Sequence, residues 1–186
     1  MIPMKLHTPA ARELVKRHLR SLEGRDRHLR FGHALTDDSI NAYVDGAWSG
    51  TNEWLGIIED NKVIAVVHVA IEGDNKAELG LSVDPAWRGK KLGQALFQRG
   101  LVFVRAQGVK DVFMHCLTEN AAMKHIANKN HMMLFSSYGE TDADLHIDPL
   151  PLDPMREAIL EQMAIYDNNV RGARNAWKYL IGKENV

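Results

Sequence analysis

The stretch of sequence that decides the fold runs from Ala77 to Gly93 and reads AELGLSVDPAWRGKKLG. Its first half predicts a strand that ends at Val83, and the apolar run that follows the stretch predicts a helix over about Leu92–Gln107. A strand, a short turn and a helix start gather several backbone N–H groups at the positive end of the helix dipole. Such a spot suits a phosphate or pyrophosphate. Three cations of the turn add positive charge there: Arg88, Lys90 and Lys91.

Other phosphate-binding patterns are absent from the chain. It contains no Gly-x-x-x-x-Gly-Lys-Ser/Thr motif, which excludes a P-loop for nucleoside triphosphates, and no Gly-x-Gly-x-x-Gly motif for a dinucleotide. A generic polar turn with a lysine pair is the alternative interpretation of the stretch. The flanking strand and helix favour the phosphate site.

Composition limits the class of protein. A chain of 186 residues, of which 45% are hydrophobic and 25% charged, is the size of one domain and can form a full core. The net charge of −1 argues against nucleic acid as the main partner. The single cysteine, Cys116, allows no intrachain disulfide. No run approaches the ~20 apolar residues of a membrane span or resembles a signal peptide, so we expect a cytoplasmic protein without a membrane partner.

Nine histidines raise the question of a metal site. They are scattered without a His-x-x-x-His or Cys-x-x-Cys pairing, and zinc sites usually carry such spacing. We therefore expect no metal.

Punctuated apolar runs predict an α/β domain over residues 1–147. A first helix should start at Thr8 and end at Gly24, residues 27–33 should form an irregular basic link, and Thr36 should cap a second short helix. Residues 120–128 predict a helix as well. A short first strand is predicted at Met4–His7. Runs separated by turn residues predict six further strands: Trp54–Glu59, Val63–Glu72, Lys76–Val83, Asp111–Leu117, Met132–Tyr138 and Ala143–Ile147. This order predicts a mixed, mostly antiparallel sheet with helices on both faces.

Residues 148–186 differ from the rest of the chain and are predicted to form a C-terminal extension. Pro149 and Pro151 precede a helix start at Asp153-Pro154. Apolar residues then recur every three or four positions and predict one long amphipathic helix: Ile159, Met163, Tyr166, Val170, Ala173, Trp177 and Leu180. Two interpretations stay open. The helix packs on its own domain, or it binds a partner, in particular a second copy in a homodimer.

The turn resembles the acyl-coenzyme A loop of the GNAT N-acyltransferase superfamily, whose pattern is Arg/Gln-x-x-Gly-x-Gly/Ala. Arg88 and Gly93 match its first and last positions, and Lys91 stands where the middle glycine is usual. The resemblance implies a GNAT acyl-CoA N-acyltransferase fold followed by a long C-terminal helix, with acetyl-CoA as co-substrate. It implies these cofactor-binding residues: Leu81, Ser82, Val83, Arg88, Gly89, Lys90, Lys91, Leu92, Gly93, Gln94 and Asn120.

Within the superfamily the chain is most similar to the bacterial Pat-type protein lysine acetyltransferases. Their stretch Ala-Glu-Phe-Ala-x-x-Val-x-x-x-Trp-Gln-Gly-x-Gly-Leu-Gly is matched by residues 77–93, and their Arg-Phe dipeptide by Arg30-Phe31. Their Asn-x-x-Met-x-x-Leu-Ala is matched by residues 120–127. The fold so implied has parallel, splayed strands at Glu78–Val83 and Asp111–Leu117, with a right-handed crossover between them.

Glu78 is the candidate general base. On its strand, alternate residues form an apolar face, while Glu78, Gly80 and Ser82 form a small and polar face with room for a substrate. A lysine acceptor has an ordinary pKa near ~10.4 and must lose a proton before it attacks a thioester. A carboxylate commonly takes that proton. In Pat-type enzymes the matching Glu is the base; a surface glutamate without a role is the alternative.

Other chemically capable residues have structural alternatives. In related enzymes the matching asparagine contacts the cofactor; Asn120 can instead cap a helix, and both roles are compatible. The sequence shows no base that could activate Cys116, so we interpret it as a thiol of the core. Trp48 and Trp54 fit core packing better than an acceptor pocket. Many superfamily members have an acid tyrosine seven positions after the asparagine, but Pat-type enzymes, like this chain, have an alanine there. We therefore expect Tyr138, the next tyrosine along the chain, to be dispensable.

Two functions from different classes follow. The first is an acetyl-CoA-dependent N-acetyltransferase that moves an acetyl group to a primary amine, of a protein lysine or a small molecule, by direct attack in a ternary complex. The backbone N–H of Val83 could stabilise the developing charge on the thioester oxygen. The second is a non-catalytic CoA-binding regulatory or interaction module that acts through its C-terminal helix.

Overall fold

The computed structural model describes residues 1–73 and 75–183. Seven strands form one sheet: β1 (Met4–Lys5), β2 (Asn52–Glu59), β3 (Lys62–Glu72), β4 (Lys76–Val83), β5 (Asp111–Leu117), β6 (Met133–Ser137) and β7 (Glu140–His146). The helices are α1 (Pro9–Arg20), α2 (Gly24–Phe31), α3 (Asp37–Gly46), α4 (Leu92–Ala106), α5 (Ala121–Lys129) and α6 (Asp153–Lys183). The strand order is β1-β2-β3-β4-β5-β7-β6.

Every pair of neighbouring strands is antiparallel except β4 and β5. The parallel ladder joins residues 76–78 to residues 111–113 and then stops, although β4 continues to Val83 and β5 to Leu117. The two strands therefore diverge toward their carboxyl ends. This confirms the predicted parallel, splayed pair, and the divergence opens the sheet directly before α4.

Helices cover both faces of the sheet and enclose two apolar cores. On one face, Leu79 packs with Leu96 and Phe97 of α4. On the other face, Val15 of α1 and Ile40 of α3 are fully buried against the sheet. Burial of one such side chain is worth roughly 1.5–3 kcal/mol. The mixed, mostly antiparallel sheet with helices on both faces is thus confirmed.

The predicted irregular link at residues 27–33 is wrong, because most of it belongs to α2. The first helix ends at Arg20, and Gly24 begins the second helix rather than terminating the first. No residue of α2 is buried, so the helix has no apolar period that a sequence pattern could reveal. Side-chain donors hold it instead. The guanidinium of Arg27 donates to three backbone carbonyls: those of Arg20, Leu22 and Leu35.

The last strand begins three residues earlier than the predicted Ala143, at Glu140. Its first residues are polar and gave no strand signal. Thr141 is nevertheless fully buried, and its hydroxyl lies 2.8 Å from the Ser136 hydroxyl and 3.1 Å from that of Thr118. These hydrogen bonds let a polar residue enter the sheet interior.

The C-terminal helix α6 packs against α4, β1 and β2 of its own chain. Buried Arg99 of α4 donates to the carboxylates of Glu157 and Glu161. Farther along, Arg171 donates to Glu59 and to the carbonyl of Ile58. The helix is therefore fixed to the domain by ion pairs. Across residues 1–73 and 75–183, no helix combines the length and the apolar character needed to cross a membrane.

Candidate active site

A cavity of about 1030 Å³ opens where β4 and β5 diverge. Its wall contains all but one of the residues that the sequence assigns to catalysis or cofactor binding: Glu78, Leu81, Ser82, Val83, Arg88, Gly89, Lys91, Leu92, Gly93, Gln94 and Asn120. The exception is Lys90. Its ammonium lies 4.0 Å from the centre of the Trp87 ring and outside the cavity wall.

One end of the cavity is built from backbone donors. Lys91 precedes α4 with a left-handed backbone, and no side chain caps the helix there. The first N–H groups of α4 therefore keep their hydrogen-bonding capacity at the positive end of the helix dipole. Gly89 also has a positive φ, of 74°. This end of the cavity can bind an anion such as a pyrophosphate.

The loop lacks the usual middle glycine but keeps its shape through the backbone conformation of Lys91. Its φ of 62° lies in the left-handed region, where a residue with a side chain costs roughly 1–2 kcal/mol. The backbone conformation that a glycine would favour is thus present with a lysine in place. The departure from the family pattern adds a charge and some strain, and the helix start remains open.

Gly93 lies where α4 approaches α5. A Cβ built on Gly93 would come 3.0 Å from Cδ1 of Ile126, so a larger residue requires the Ile126 side chain to move slightly. The next side chain, Gln94, is hydrogen-bonded to Asn130 of the same region. Both residues lie in the first turn of α4, so their backbone N–H groups have no acceptor within the helix and can contact an anion.

The Arg88 side chain already has partners within the protein. Its guanidinium lies 3.0 Å from the Asp26 carboxylate of α2, and its Nε donates to the carbonyl of Val83 at 3.4 Å. The side chain is half exposed, so the ion pair is screened by solvent. Arg88 thus ties α2 to the turn and keeps part of its charge available at the cavity.

Glu78 occupies the last rung of the parallel ladder, opposite Phe113 of β5 and Ala70 of β3. It is half-buried and lines the cavity. Among the residues that the structure describes, none forms a hydrogen bond or ion pair with its carboxylate. A carboxylate at the point where the strands separate, with no partner of its own, is available to accept a proton.

Arg30 of α2 takes part of the room that the sequence predicted on this face of β4, because its guanidinium lies against Gly80. A Cβ on Gly80 would lie 2.6 Å from Nη2 of Arg30, so the missing side chain is what lets the guanidinium reach the strand. Nη2 of Arg30 donates to the Tyr43 hydroxyl at 3.2 Å. That hydroxyl lies 2.7 Å from Nδ1 of His68. The sequence matched Arg30 to a family motif but gave no sign of this contact.

Two buried histidines support this side of the cavity. Nε2 of His18 lies 2.9 Å from the Ser82 hydroxyl, so this hydroxyl already has a hydrogen-bond partner within the protein. Burial, with a smaller contribution from the Arg30 charge, lowers the pKa of His18 to about 4 and that of His68 to about 3. Both rings are neutral at pH 7.

The far wall comes from β5. His115 lines the cavity, and its Nδ1 lies 2.7 Å from the Asp142 carboxylate, which raises the pKa of the imidazole. Burial raises the pKa of the neighbouring Cys116 thiol. A protonated, buried thiol is a core residue rather than a nucleophile, as the sequence suggested. The His115–Asp142 pair, in contrast, was not predicted, because it joins two residues that lie 27 positions apart on different strands.

The remaining candidates have structural roles. Asn120 caps α5 by accepting from the N–H of Met123, and it donates to the carbonyl of Leu29. Ala127 is 1% exposed and packs in the core, and so does Trp54. Tyr138 is fully exposed in a tight turn and does not line the cavity.

The sequence comparison identifies the family. A family model described as "Acetyltransferase (GNAT) family" matches residues 16–131. The chain therefore belongs to the GNAT acetyltransferase family, whose members are typically acetyl-CoA-dependent enzymes. A search of curated proteins found no matching relative.

Solved structures share the fold at low sequence identity. The GNAT domain of S. lividans PAT has a TM-score of 0.65 and 16% identity, covering 78% of this chain and 88% of that one. The paia N-acetyltransferase from Thermoplasma acidophilum, in complex with coenzyme A, has a TM-score of 0.58 and 15% identity, covering 79% and 100%. RimL, a ribosomal L7/L12 alpha-N-protein acetyltransferase in complex with coenzyme A, has a TM-score of 0.57 and 19% identity, covering 80% and 94%.

Proposed function

We propose that this protein transfers an acetyl group from acetyl-CoA to a primary amine, with Glu78 as the general base. The observation that carries the proposal is the Glu78 carboxylate, which has no hydrogen-bond or ion-pair partner in the described part of the chain and lies where β4 and β5 diverge into the cavity. The open helix start at Lys91–Gly93 would hold the pyrophosphate of the co-substrate. Two structures with the same fold contain coenzyme A, which is consistent with this assignment.

The chemistry requires one proton acceptor and one oxyanion donor. Glu78 takes a proton from the acceptor ammonium, directly or through water, and leaves a neutral amine. A C–N bond then forms to the acetyl carbon while the C–S bond breaks, and the proton that the attacking nitrogen loses as it becomes an amide passes to the coenzyme A thiolate, directly or through water. A backbone N–H of the diverging end of β4, with Val83 as the candidate, stabilises the negative oxygen in between. No covalent enzyme intermediate is needed.

The acceptor is proposed to be a lysine in a basic polypeptide segment, as the likeness to Pat-type enzymes also suggests. Directly paired residues share a face of a sheet, so the row that starts at Glu78 continues through Phe113, Asp144 and Met133. The next row holds His115, Asp142 and Phe135.

The outer part of this sheet face is exposed and acidic. Met133 is 61% exposed and Phe135 58%. Asp142, Asp144 and Glu140 of β7 are exposed beside them. Carboxylates next to large apolar side chains fit a chain that carries cationic and apolar residues, and opposite charge steers its approach. A small amine would use only the cavity.

A screen for release of free thiol from acetyl-CoA tests the proposal. Purified protein is offered free lysine, polyamines, and lysine peptides flanked by Arg or by Glu. We expect turnover that is fastest with the Arg-flanked peptides. Equal rates with Glu-flanked peptides would contradict the polypeptide assignment, and no thiol release with any amine would contradict the transferase.

The alternative function is a CoA-binding module without catalysis. The strained Lys91 in the loop and the alanine at position 127 are the features that favour it. Binding of acetyl-CoA is common to both functions, so calorimetry of binding alone does not separate them. Thiol release does.

A further inference from the structure

The long helix α6 turns its polar side toward its own domain. Glu157 and Glu161 bind Arg99 of α4. Farther along the helix, Arg171 binds Glu59 of β2. Glu157 and Arg171 are 6% and 7% exposed, so these charges are buried under the helix. An amphipathic helix on the surface of a single domain normally buries its apolar side. Here the arrangement is reversed.

The opposite side of α6 is apolar and exposed. We define the apolar stripe as Ile159, Met163, Tyr166, Val170, Trp177 and Leu180. These side chains are between 48% and 72% exposed. Together they present roughly 800 Å² of accessible surface, about what each partner contributes to a stable protein–protein interface and more than most monomers expose in one patch.

The spacing within the stripe specifies what covers it. With Ala173 included, the residues from Ile159 to Leu180 follow one another at intervals of four, three, four, three, four and three. This alternation is the heptad repeat by which one α-helix packs along another in a coiled coil. The occupant is therefore a helix of about the same length that carries an apolar stripe in the same repeat. The chain itself supplies such a helix in a second copy.

We propose that α6 forms an antiparallel helix pair with α6 of a second copy, making the protein a homodimer. Antiparallel pairing sets large residues against smaller ones: Tyr166 would face Val170, and Met163 would face Ala173. Parallel pairing would set Trp177 against Trp177 and leave Ala173 against Ala173, which packs unevenly. It would also place the exposed cations Arg174 and Lys178 of both copies at the same end of the pair, whereas antiparallel pairing places them at opposite ends.

The ion pairs under the helix fit this arrangement. They fix α6 on its own domain with the stripe facing outward, so the stripe is already ordered when two copies meet. Preorganisation lowers the entropic cost of association. The inference does not depend on catalysis, so it can fail while the proposed function holds, and the reverse.

Light scattering coupled to gel filtration tests the dimer on the full-length protein. We expect a mass of twice 20.9 kDa at micromolar concentration. Val170→Glu places charges in the seam and should raise the dissociation constant by about a hundredfold or more. Ile165→Glu is the matched control, because Ile165 lies on α6 outside the stripe; it should leave the dimer intact. Circular dichroism checks that both variants fold.

Disulfide cross-linking tests the orientation. Under oxidation, Met163→Cys combined with Ala173→Cys should give a covalent dimer, whereas Ala173→Cys alone should give little, because parallel pairing is needed to bring two copies of position 173 together. Cys116 is buried and contributes no background. A monomeric wild-type protein, a Val170→Glu protein that stays dimeric, or strong cross-linking through position 173 alone would overturn the proposal.

Discussion

Mild acid should destabilise this protein through its two buried histidines. His18 is 4% exposed and His68 7%, and burial holds their pKa values at about 4 and about 3. In the unfolded chain both rings titrate near pH ~6.5. Between that pH and the folded pKa values, the unfolded state binds two protons that the folded state does not. The free energy of unfolding must therefore fall as the pH falls.

The size of the effect follows from the two pKa values. Between pH 7 and pH 5 each histidine should remove about 2 kcal/mol of stability, so that together they remove roughly 4 kcal/mol. Such a change is about a quarter to four-fifths of a typical domain's stability of about 5–15 kcal/mol. The raised pKa of His115 acts in the opposite direction, but this ring is 42% exposed and its ion pair is worth little in solvent.

Urea unfolding at a series of pH values measures how steeply the free energy of unfolding falls as the pH falls. His68→Gln keeps a polar side chain between Tyr43 and Asn52 but cannot titrate. Between pH 7 and pH 5 the variant should lose about half as much free energy of unfolding as the wild type, whatever its stability at pH 7. A wild-type stability that is flat over this range, or an unchanged slope in His68→Gln, would refute the reasoning.

Three further outcomes are expected. Gly93→Asp should weaken acetyl-CoA binding about tenfold or more by calorimetry, because it puts a carboxylate at the anion end of the cavity; Gly93→Ala, which adds bulk without charge, should cost less. Asp142→Asn should lower the pKa of His115 in an NMR titration, since the Asp142 carboxylate raises it. Asp111→Asn, which breaks the similar pair with His146, should leave the pKa of His115 unchanged. Tyr138→Phe should keep turnover within about a few-fold, as expected for an exposed side chain outside the cavity.

Local sequence order explains which features could be predicted. The strand, turn and helix from Ala77 to Ala106 are contiguous, so their residues and the open helix start were visible in the sequence. The divergence of β4 and β5 followed from the family resemblance. Helix α2 was missed because it buries no residue and is held by the carbonyls that Arg27 reaches.

Long-range contacts account for what the sequence did not reveal. Arg30 fills the space beside Gly80, 50 residues away, and no local pattern announces that contact. The apolar stripe of α6 was recognised, but not the side of the helix that faces the domain. That side was decided by Arg99, which lies about 60 residues from the carboxylates it binds.

The most direct test of the central claim is a paired measurement on Glu78→Gln. This substitution keeps the size and hydrogen bonding of the side chain but cannot accept a proton at neutral pH. If Glu78 is the general base, turnover with a lysine peptide should fall by ~10²-fold or more, while calorimetry should give an acetyl-CoA affinity close to that of the wild type. Retained turnover with intact acetyl-CoA binding would contradict the account.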